Sequence, residues 1–207
     1  MPAGKACECA PYPQLVATHI SSAGHHPVEL FNDAVSGSRT TDVLAQLNSD
    51  TDTISHAAEA SAVMIEVGAN DIAESTECDT NIRCYEPELP EVTNNLEAIV
   101  SRVRQLAGHR VDVVLLDYWN VWLGGQYATA LGRGYVAAAT ELTRELSAAI
   151  QSIAHTTNSI YVNLRTAFRG PDDDGDETGL LTSDGDHPNA VGQERIADAV
   201  TEAAAAA

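Results

Sequence analysis

Apolar residues follow two patterns that alternate along the chain. Short apolar runs predict β-strands, and longer stretches with apolar residues three or four apart predict amphipathic helices. Strands that alternate with helices at these lengths are typical of βαβ units, and therefore of a parallel sheet with helices on both faces. The predicted strands are residues 28–35, 62–67, 111–116 and a stretch that starts at 159; the predicted helices are residues 12–22, 40–48, 89–108, 127–155 and 188–206.

Three polar segments lie where a predicted strand ends or a predicted helix begins. Residues 32–42 (NDAVSGSRTTD) follow the first strand, residues 68–72 (GANDI) follow the second, and residues 184–189 (DGDHPN) precede the last helix. In open parallel sheets, ligand sites form in the loops at the carboxyl ends of the strands. We therefore expect the chemistry of this protein in these three segments.

The last segment carries a possible acid–base pair. Asp184 and His187 are three residues apart in a short loop that ends at a helix start. This spacing can bring a carboxylate to one imidazole nitrogen and leave the other nitrogen to act, which is the arrangement that acyl transfer needs. The same residues are also consistent with a surface histidine beside two acids, Asp184 and Asp186.

The other two segments carry possible donors to an oxyanion. The side-chain amide of Asn70 could donate to a developing negative charge, and Gly68 before it would let the backbone approach a substrate. The backbone N–H of Gly37 could serve as a second donor. Glycine, asparagine and aspartate are also ordinary turn formers, so each segment alone is consistent with a simple turn.

Taken together and in this order, the three segments resemble the SGNH (GDSL-like) hydrolase family. NDAVSGSRTTDVL is similar to its glycine block, VGAND to its G-x-N-D block, and DGDHPNAVGQERIA to its D-x-x-H block. The resemblance implies an α/β fold, a three-layer α/β/α sandwich with a parallel, flavodoxin-like sheet. It implies His187 as general base with Asp184 as its partner, and Gly37 and Asn70 as oxyanion-hole donors. It also implies cleavage of small-molecule, lipid or carbohydrate esters with no metal and no organic cofactor.

One part of the family pattern is missing from the sequence. The family's nucleophile is the serine of a G-D-S motif at the end of the first, central strand, and the chain contains neither G-D-S nor a G-x-S-x-G elbow. We therefore expect residues 1–207 to form a single SGNH-type domain that lacks this N-terminal block and its strand. Ser36, Ser38 and Ser183 lie close to the motifs, but each is better interpreted as a turn residue.

Two functions follow as expectations from this departure. The first is an ester hydrolase whose nucleophilic serine lies upstream of residue 1. The second is a catalytically inactive remnant that only binds an ester or a glycan. The identity of the nucleophile separates the two, because a general base without a nucleophile has nothing to activate.

Composition limits the partners and suggests a location. The formal net charge is −19, so we expect no nucleic-acid partner, and no stretch approaches the ~20 apolar residues of a membrane span. Residues 171–178 (PDDDGDET) read as a solvated acidic loop without the spacing of a calcium loop. Residues 1–13 have no apolar signal-peptide core, yet we expect the full-length form to be secreted. This expectation rests on four cysteines whose even number fits two disulfides, with free thiols as the alternative: Cys7, Cys9, Cys78 and Cys84.

Overall fold

The structure is a computed structural model that describes residues 6–24, 27–73, 84, 88–108 and 110–207. The chain divides into two compact units. The terminal unit comprises Met1–Ser36, Tyr118–Thr140 and Asn163–Ala207, and the sheet unit comprises Gly37–Asp117 and Glu141–Val162. In the described ranges the strands are β1 (Ala62–Ile65), β2 (Asp112–Leu116) and β3 (Ile160–Val162), and the helices are α1 (Tyr12–Gly24), α2 (Thr40–Ser49), α3 (Thr51–Glu59), α4 (Ala69–Ala73), α5 (Leu89–Ala107), α6 (Gly125–Ala130), α7 (Arg133–Thr156), α8 (Leu164–Arg169) and α9 (Ala190–Ala206).

The sheet unit is built on three parallel strands in the order β1-β2-β3. The central strand β2 is apolar after its first residue and buried there, as expected for a parallel strand covered on both faces. Helix α5 packs against α2 and α3. The predicted α/β fold with a parallel sheet is therefore confirmed. The buried face of α5 has helical spacing and consists of Val92, Leu96, Ile99, Val100 and Val103.

The terminal unit is held together by the packing of α1 and α8 on α9. Tyr12 and Val16 are buried on α1, and Ile196 and Val200 are buried one turn apart on α9. The backbone N–H of Tyr12 also donates to Oε1 of the buried Gln193, 2.8 Å away. This contact satisfies one of the amides that a helix start leaves without an intrahelical partner.

The strand predicted at residues 28–35 does not form. In the part of the chain that the structure describes, no strand pairs with this segment. Its apolar side chains remain between 36% and 58% exposed. Alternation specifies which side chains share a face, whereas a strand also needs a neighbour that satisfies its N–H and C=O groups. The exposed residues are Val28, Leu30, Phe31 and Val35.

Helix boundaries also differ from the prediction where local backbone chemistry decides them. The single helix predicted over 127–155 is two helices, α6 and α7, separated by Gly132 with a φ of +92°. Pro188 is not the first residue of α9: it forms an isolated bridge with Leu181, and Asn189 caps the helix through its side chain. Helices α3 and α8 were not predicted, and GANDI, predicted as a loop, contains the short helix α4.

Cys7 and Cys9 form a disulfide, and Cys84 is also disulfide-bonded. Cys78 lies outside the described residues, as do His25 and His26. None of the helices in the described ranges has both the length and the apolar character needed to cross a bilayer.

Candidate active site

Asp184 and His187 are joined directly in the terminal unit. Nδ1 of the His187 ring lies 2.9 Å from Oδ2 of Asp184. An ionised carboxylate can only accept a hydrogen bond, so Nδ1 carries the proton and donates it, which leaves Nε2 as the basic nitrogen. The ring is 29% exposed and can therefore reach a ligand.

The Asp184 carboxylate is held by four donors at once. Partial burial raises its pKa, but hydrogen bonds from the Thr182 hydroxyl, from the backbone N–H groups of Asp186 and His187 and from the His187 ring outweigh that effect. The net result is an Asp184 pKa well below its ordinary value of 3.8. The group that faces His187 is therefore an anion throughout the neutral range.

A second carboxylate lies beside the same ring. Oδ2 of Asp186 is 3.7 Å from Nδ1 of His187. The Asp186 side chain keeps 41% of its surface exposed, although its carboxyl lies deep among protein atoms. Burial raises the pKa of this carboxyl to about 6, with His187 lowering it and Asp184 raising it. The two acids on either side of Gly185 thus differ in protonation behaviour.

The loop that presents the pair is closed on itself by backbone hydrogen bonds. The N–H of Thr182 donates to the His187 carbonyl over 2.8 Å, and the N–H of Gly185 donates to the Thr182 carbonyl over 3.1 Å. The Thr182 hydroxyl donates to Oδ1 of Asp184. Thr182 was not among the predicted site residues, because this bond joins two side chains and no turn pattern marks it.

Asn70 is presented by α4 in the sheet unit. Its Nδ2 donates to the carbonyl of Ser38, 3.0 Å away. A side-chain amide has two N–H groups, so a second donor remains for a ligand. This bond places Asn70 against the turn that contains Gly37, and the predicted oxyanion pair is therefore brought together within this unit.

Asp71, the next residue, ties α4 to the start of α2. Its carboxylate accepts the backbone N–H of Thr40 at 3.0 Å and the Thr40 hydroxyl at 2.6 Å. The hydroxyl in turn accepts from Nδ2 of Asn95. No sequence motif assigned Asp71 a role, but its bonds to the first residue of α2 fix the distance between Asn70 and the Gly37 turn.

The Gly37 turn is open on its side-chain face. Gly37 has a φ of +78°, and a Cβ placed on it would meet no atom within 4 Å. Ser36 is exposed and Ser38 is half-buried. Ser183, beside the acid–base pair, is exposed as well. Within the described residues, none of these three serine hydroxyls donates a hydrogen bond to a basic side chain.

Asp117 is a further acid that the sequence analysis did not single out. It directly follows β2 and is completely buried. The Tyr161 hydroxyl donates to its Oδ2 over 2.7 Å, and burial together with this carboxylate raises the pKa of the Tyr161 phenol. The contact satisfies a buried charge next to a strand end, so we assign the pair to the stability of the sheet unit.

A model of the GDSL-like Lipase/Acylhydrolase family matches residues 3–195. The chain belongs to this family. GDSL-like proteins are ester hydrolases, and the predicted family and its class of reaction are thereby confirmed at the family level. No curated protein matches the chain in sequence.

Solved structures show the same SGNH-hydrolase fold at low sequence identity. A catalytic mutant of Axe2, an acetylxylan esterase from Geobacillus stearothermophilus, has a TM-score of 0.68 at 18% identity over 93% of this chain and 80% of that chain. LAE5, an alpha/beta hydrolase enzyme from the metagenome of Lake Arreo, Spain, has a TM-score of 0.67 at 18% identity over 94% and 81%. TesA has a TM-score of 0.63 at 20% identity over 93% and 86%.

One group of residues in the described ranges of this GDSL-like chain could hold a metal ion. Ligand atoms of His19 on α1 and of Glu194 and Asp198 on α9 all lie within 4.8 Å of one another. Both acids are exposed, and Nε2 of His19 is 3.7 Å from Oε2 of Glu194. An ion pair between the helices accounts for this arrangement, so we assign no metal to it.

Proposed function

We propose that this chain is the larger part of a GDSL-like ester hydrolase that acts by serine acyl transfer. The observation that carries the proposal is the bond between Nδ1 of His187 and the strongly acidic Asp184 carboxylate, which leaves Nε2 as a directed base. The proposed oxyanion donors are the second N–H of Asn70 and the backbone N–H of Gly37. The proposal includes the prediction that residues 1–207 belong to one SGNH-type domain.

The reaction divides into two transfers. A serine Oγ attacks the ester carbonyl carbon and gives its proton to Nε2 of His187 as the new C–O bond forms. Asn70 and Gly37 stabilise the negative oxygen, and collapse of the intermediate breaks the bond to the alcohol, which leaves with the proton from His187. Water then attacks the acyl-enzyme by the same route and releases the acid and the serine.

The proposed nucleophile is a serine carried by a segment upstream of residue 1. The sequence has no G-D-S motif, and Ser36 and Ser183 lie in turns. Cys7 and Cys9 are consumed in a disulfide, so neither offers a thiolate. The same disulfide supports the proposal that the full-length form is secreted, since disulfides persist in oxidising compartments.

Hydrolysis of p-nitrophenyl acetate by this chain and by a version extended upstream in the same reading frame tests the proposal. We expect activity in the extended form alone. There, His187→Ala should lower kcat/KM by about 10³-fold or more and Asn70→Ala by about 10²-fold. His155→Ala, at an exposed position near the end of α7, serves as the control. Acetylated xylan is the first natural substrate to assay, because Axe2 is an acetylxylan esterase.

The absence of a G-D-S motif also favours a second candidate, a domain that binds an ester or glycan without cleaving it. Activity in neither form, together with binding of acetylated xylan, would support this candidate. Activity of the chain as given that disappears in Ser36→Ala or Ser38→Ala would instead show that the nucleophile lies in the Gly37 turn.

A further inference from the structure

Two consecutive carbonyl groups of the loop that carries Asp184 and His187 are held from outside the loop. The Gly185 carbonyl accepts the backbone N–H of Gly124 over 2.8 Å. The Asp186 carbonyl accepts Nε1–H of Trp119 over 3.0 Å. The segment 119–125 therefore clamps the two residues that separate the acid from the base.

Trp119 is itself fixed by helix α8. Its ring stacks on Phe168 with centroids 4.8 Å apart and an interplanar angle of 17°. Its backbone carbonyl accepts from Nη1 of the buried Arg165 over 3.0 Å. A stacked ring and a charge-assisted bond leave the indole with little freedom, so its N–H is aimed at the loop before a ligand arrives.

The turn at Gly124 and Gly125 is fixed by a buried carboxylate. Oε1 of Glu177 accepts the N–H of Gly125 over 3.0 Å, and Glu177 is only 1% exposed. A Cβ on Gly124 would lie 2.8 Å from the same Oε1 and 2.9 Å from Cδ1 of Leu181. A side chain at position 124 would therefore crowd the ends of the Glu177 and Leu181 side chains.

The charge of Glu177 is balanced within the same network. Its Oε2 forms an ion pair with Nη1 of Arg169. Asp173 Oδ1 lies 2.9 Å from Nε of Arg165 and 2.8 Å from Nε of Arg169, and so joins the two arginines of α8. The acidic segment 171–178 is therefore not simply a solvated loop, because two of its carboxylates match two guanidinium groups. Breaking one such pair would leave an uncompensated, largely buried charge.

We infer that Glu177 is a positioning residue for the acid–base pair: paired with Arg169, it fixes the Gly124–Gly125 turn, whose N–H holds the Gly185 carbonyl between Asp184 and His187. This inference rests on the proposed function. Glu177 touches neither His187 nor a substrate in this scheme, and it acts only through the turn. Displacing a catalytic group by about 1 Å can cost about 100-fold in rate, so a supporting residue can matter for catalysis.

The central variant is Glu177→Leu, which removes both the acceptor for Gly125 and the partner of Arg169. In the upstream-extended form, we expect this change to lower kcat by about 10- to 100-fold with KM within about twofold, because the substrate contacts stay in place. Glu177→Gln keeps an acceptor of the same shape and should restore kcat to within about threefold of the wild type. Glu202→Gln, an exposed change of the same charge on α9, is the matched control.

A second readout is independent of catalysis. In the chain labelled with ¹⁵N-histidine, the Nδ1–H signal of His187, identified by its loss in His187→Ala, reports the bond to Asp184. We expect this signal to be exchange-broadened in Glu177→Leu and unchanged in Glu177→Gln and Glu202→Gln. Normal circular dichroism in all three variants would show that the effect is local rather than global unfolding.

The outcomes separate the two proposals. A folded Glu177→Leu variant with control-like kcat and an intact Nδ1–H signal would overturn the inference. If Glu177→Leu fails to fold, the same criteria apply to Arg169→Met/Glu177→Leu, which leaves no unpaired charge from this pair. If His187→Ala in the upstream-extended form hydrolysed esters at the wild-type rate, the proposed function would be wrong. The Nδ1–H signal would still test the positioning role of Glu177.

Discussion

Two turns of this chain contain a glycine with nearly the same positive φ, yet their surroundings differ sharply. Gly185, between Asp184 and His187, has a φ of +76°, and Gly37, in the proposed oxyanion turn, has a φ of +78°. A Cβ on Gly185 would lie 2.6 Å from Cγ of Tyr127, whereas a Cβ on Gly37 would meet nothing within 4 Å. Packing against Tyr127 thus excludes a side chain at Gly185, whereas there is space for one at Gly37.

The difference follows from the partners that hold each turn. The loop 182–187 is held by bonds between residues a few positions apart, such as the N–H of His187 to Oδ1 of Asp184 over 3.0 Å, and by the bond from the Gly124 N–H to the Gly185 carbonyl. The apolar side chains of the segment before Gly37 are between 36% and 58% exposed. The loop 182–187 thus has partners in its own residues and in residues 119–125, whereas no strand of the described ranges lies beside the segment before Gly37.

The largest expected effect comes from adding a methyl group to each glycine. Gly185→Ala combines a left-handed backbone with a clash against the Tyr127 ring and should cost about 3 kcal/mol or more of unfolding free energy. Gly37→Ala meets only the backbone penalty and should cost about 1 kcal/mol. Urea unfolding of the two variants measures the difference, and equal losses would contradict the contrast between a packed turn and an open one.

The second expected effect is that Asp186 and Asp184 change the stability of the protein with opposite dependence on pH. Folding raises the pKa of Asp186 from 3.8 to about 6, so its charged form costs stability, and that cost grows from about pH 4 and is complete above about pH 6. Asp186→Asn removes the cost and should raise Tm at pH 8 by about 1–3 °C, with no change at pH 4. The side chain is 41% exposed, so solvent screening keeps the effect small.

Asp184→Asn is the matched variant, and its sign is opposite. The folded-state pKa of Asp184 is lowered, so its stabilisation is present above 3.8 and is lost as the pH falls through the folded value. This variant should therefore lower Tm at pH 8, with a deficit that shrinks below pH 3.8. Thermal unfolding of both variants between pH 3 and pH 8 measures how the Tm change depends on pH. If the Tm changes of the two variants had the same sign and the same pH dependence, the assignment of opposite effects to Asp184 and Asp186 would be wrong.

Sequence reasoning succeeded where the determining contacts are local. The spacing of Asp184 and His187 predicts their bond because three residues of chain span it, and the run VDVVLL predicts β2 because its composition suits a covered strand. It failed at residues 28–35, where a strand needs a ladder partner that no local pattern reveals. It also missed the burial of Glu177, because the segment 171–178 is acidic in composition and the partner Arg169 lies on a helix that was not predicted.

The smallest expected effect is at Phe31, in the exposed segment that leads to the open turn. The chain has two phenylalanines, and Phe31 is 45% exposed whereas Phe168, stacked on Trp119, is 5% exposed. Phe31→Ser should change the unfolding free energy of this chain by less than about 0.5 kcal/mol, while Phe168→Ser should cost about 3 kcal/mol or more. Urea unfolding with fluorescence detection checks both values. If residues 28–35 become a strand in the upstream-extended form, the cost of Phe31→Ser should rise there above about 1 kcal/mol. An equally small cost in both forms would show that the segment stays exposed and that the contrast between the two turns belongs to the whole protein.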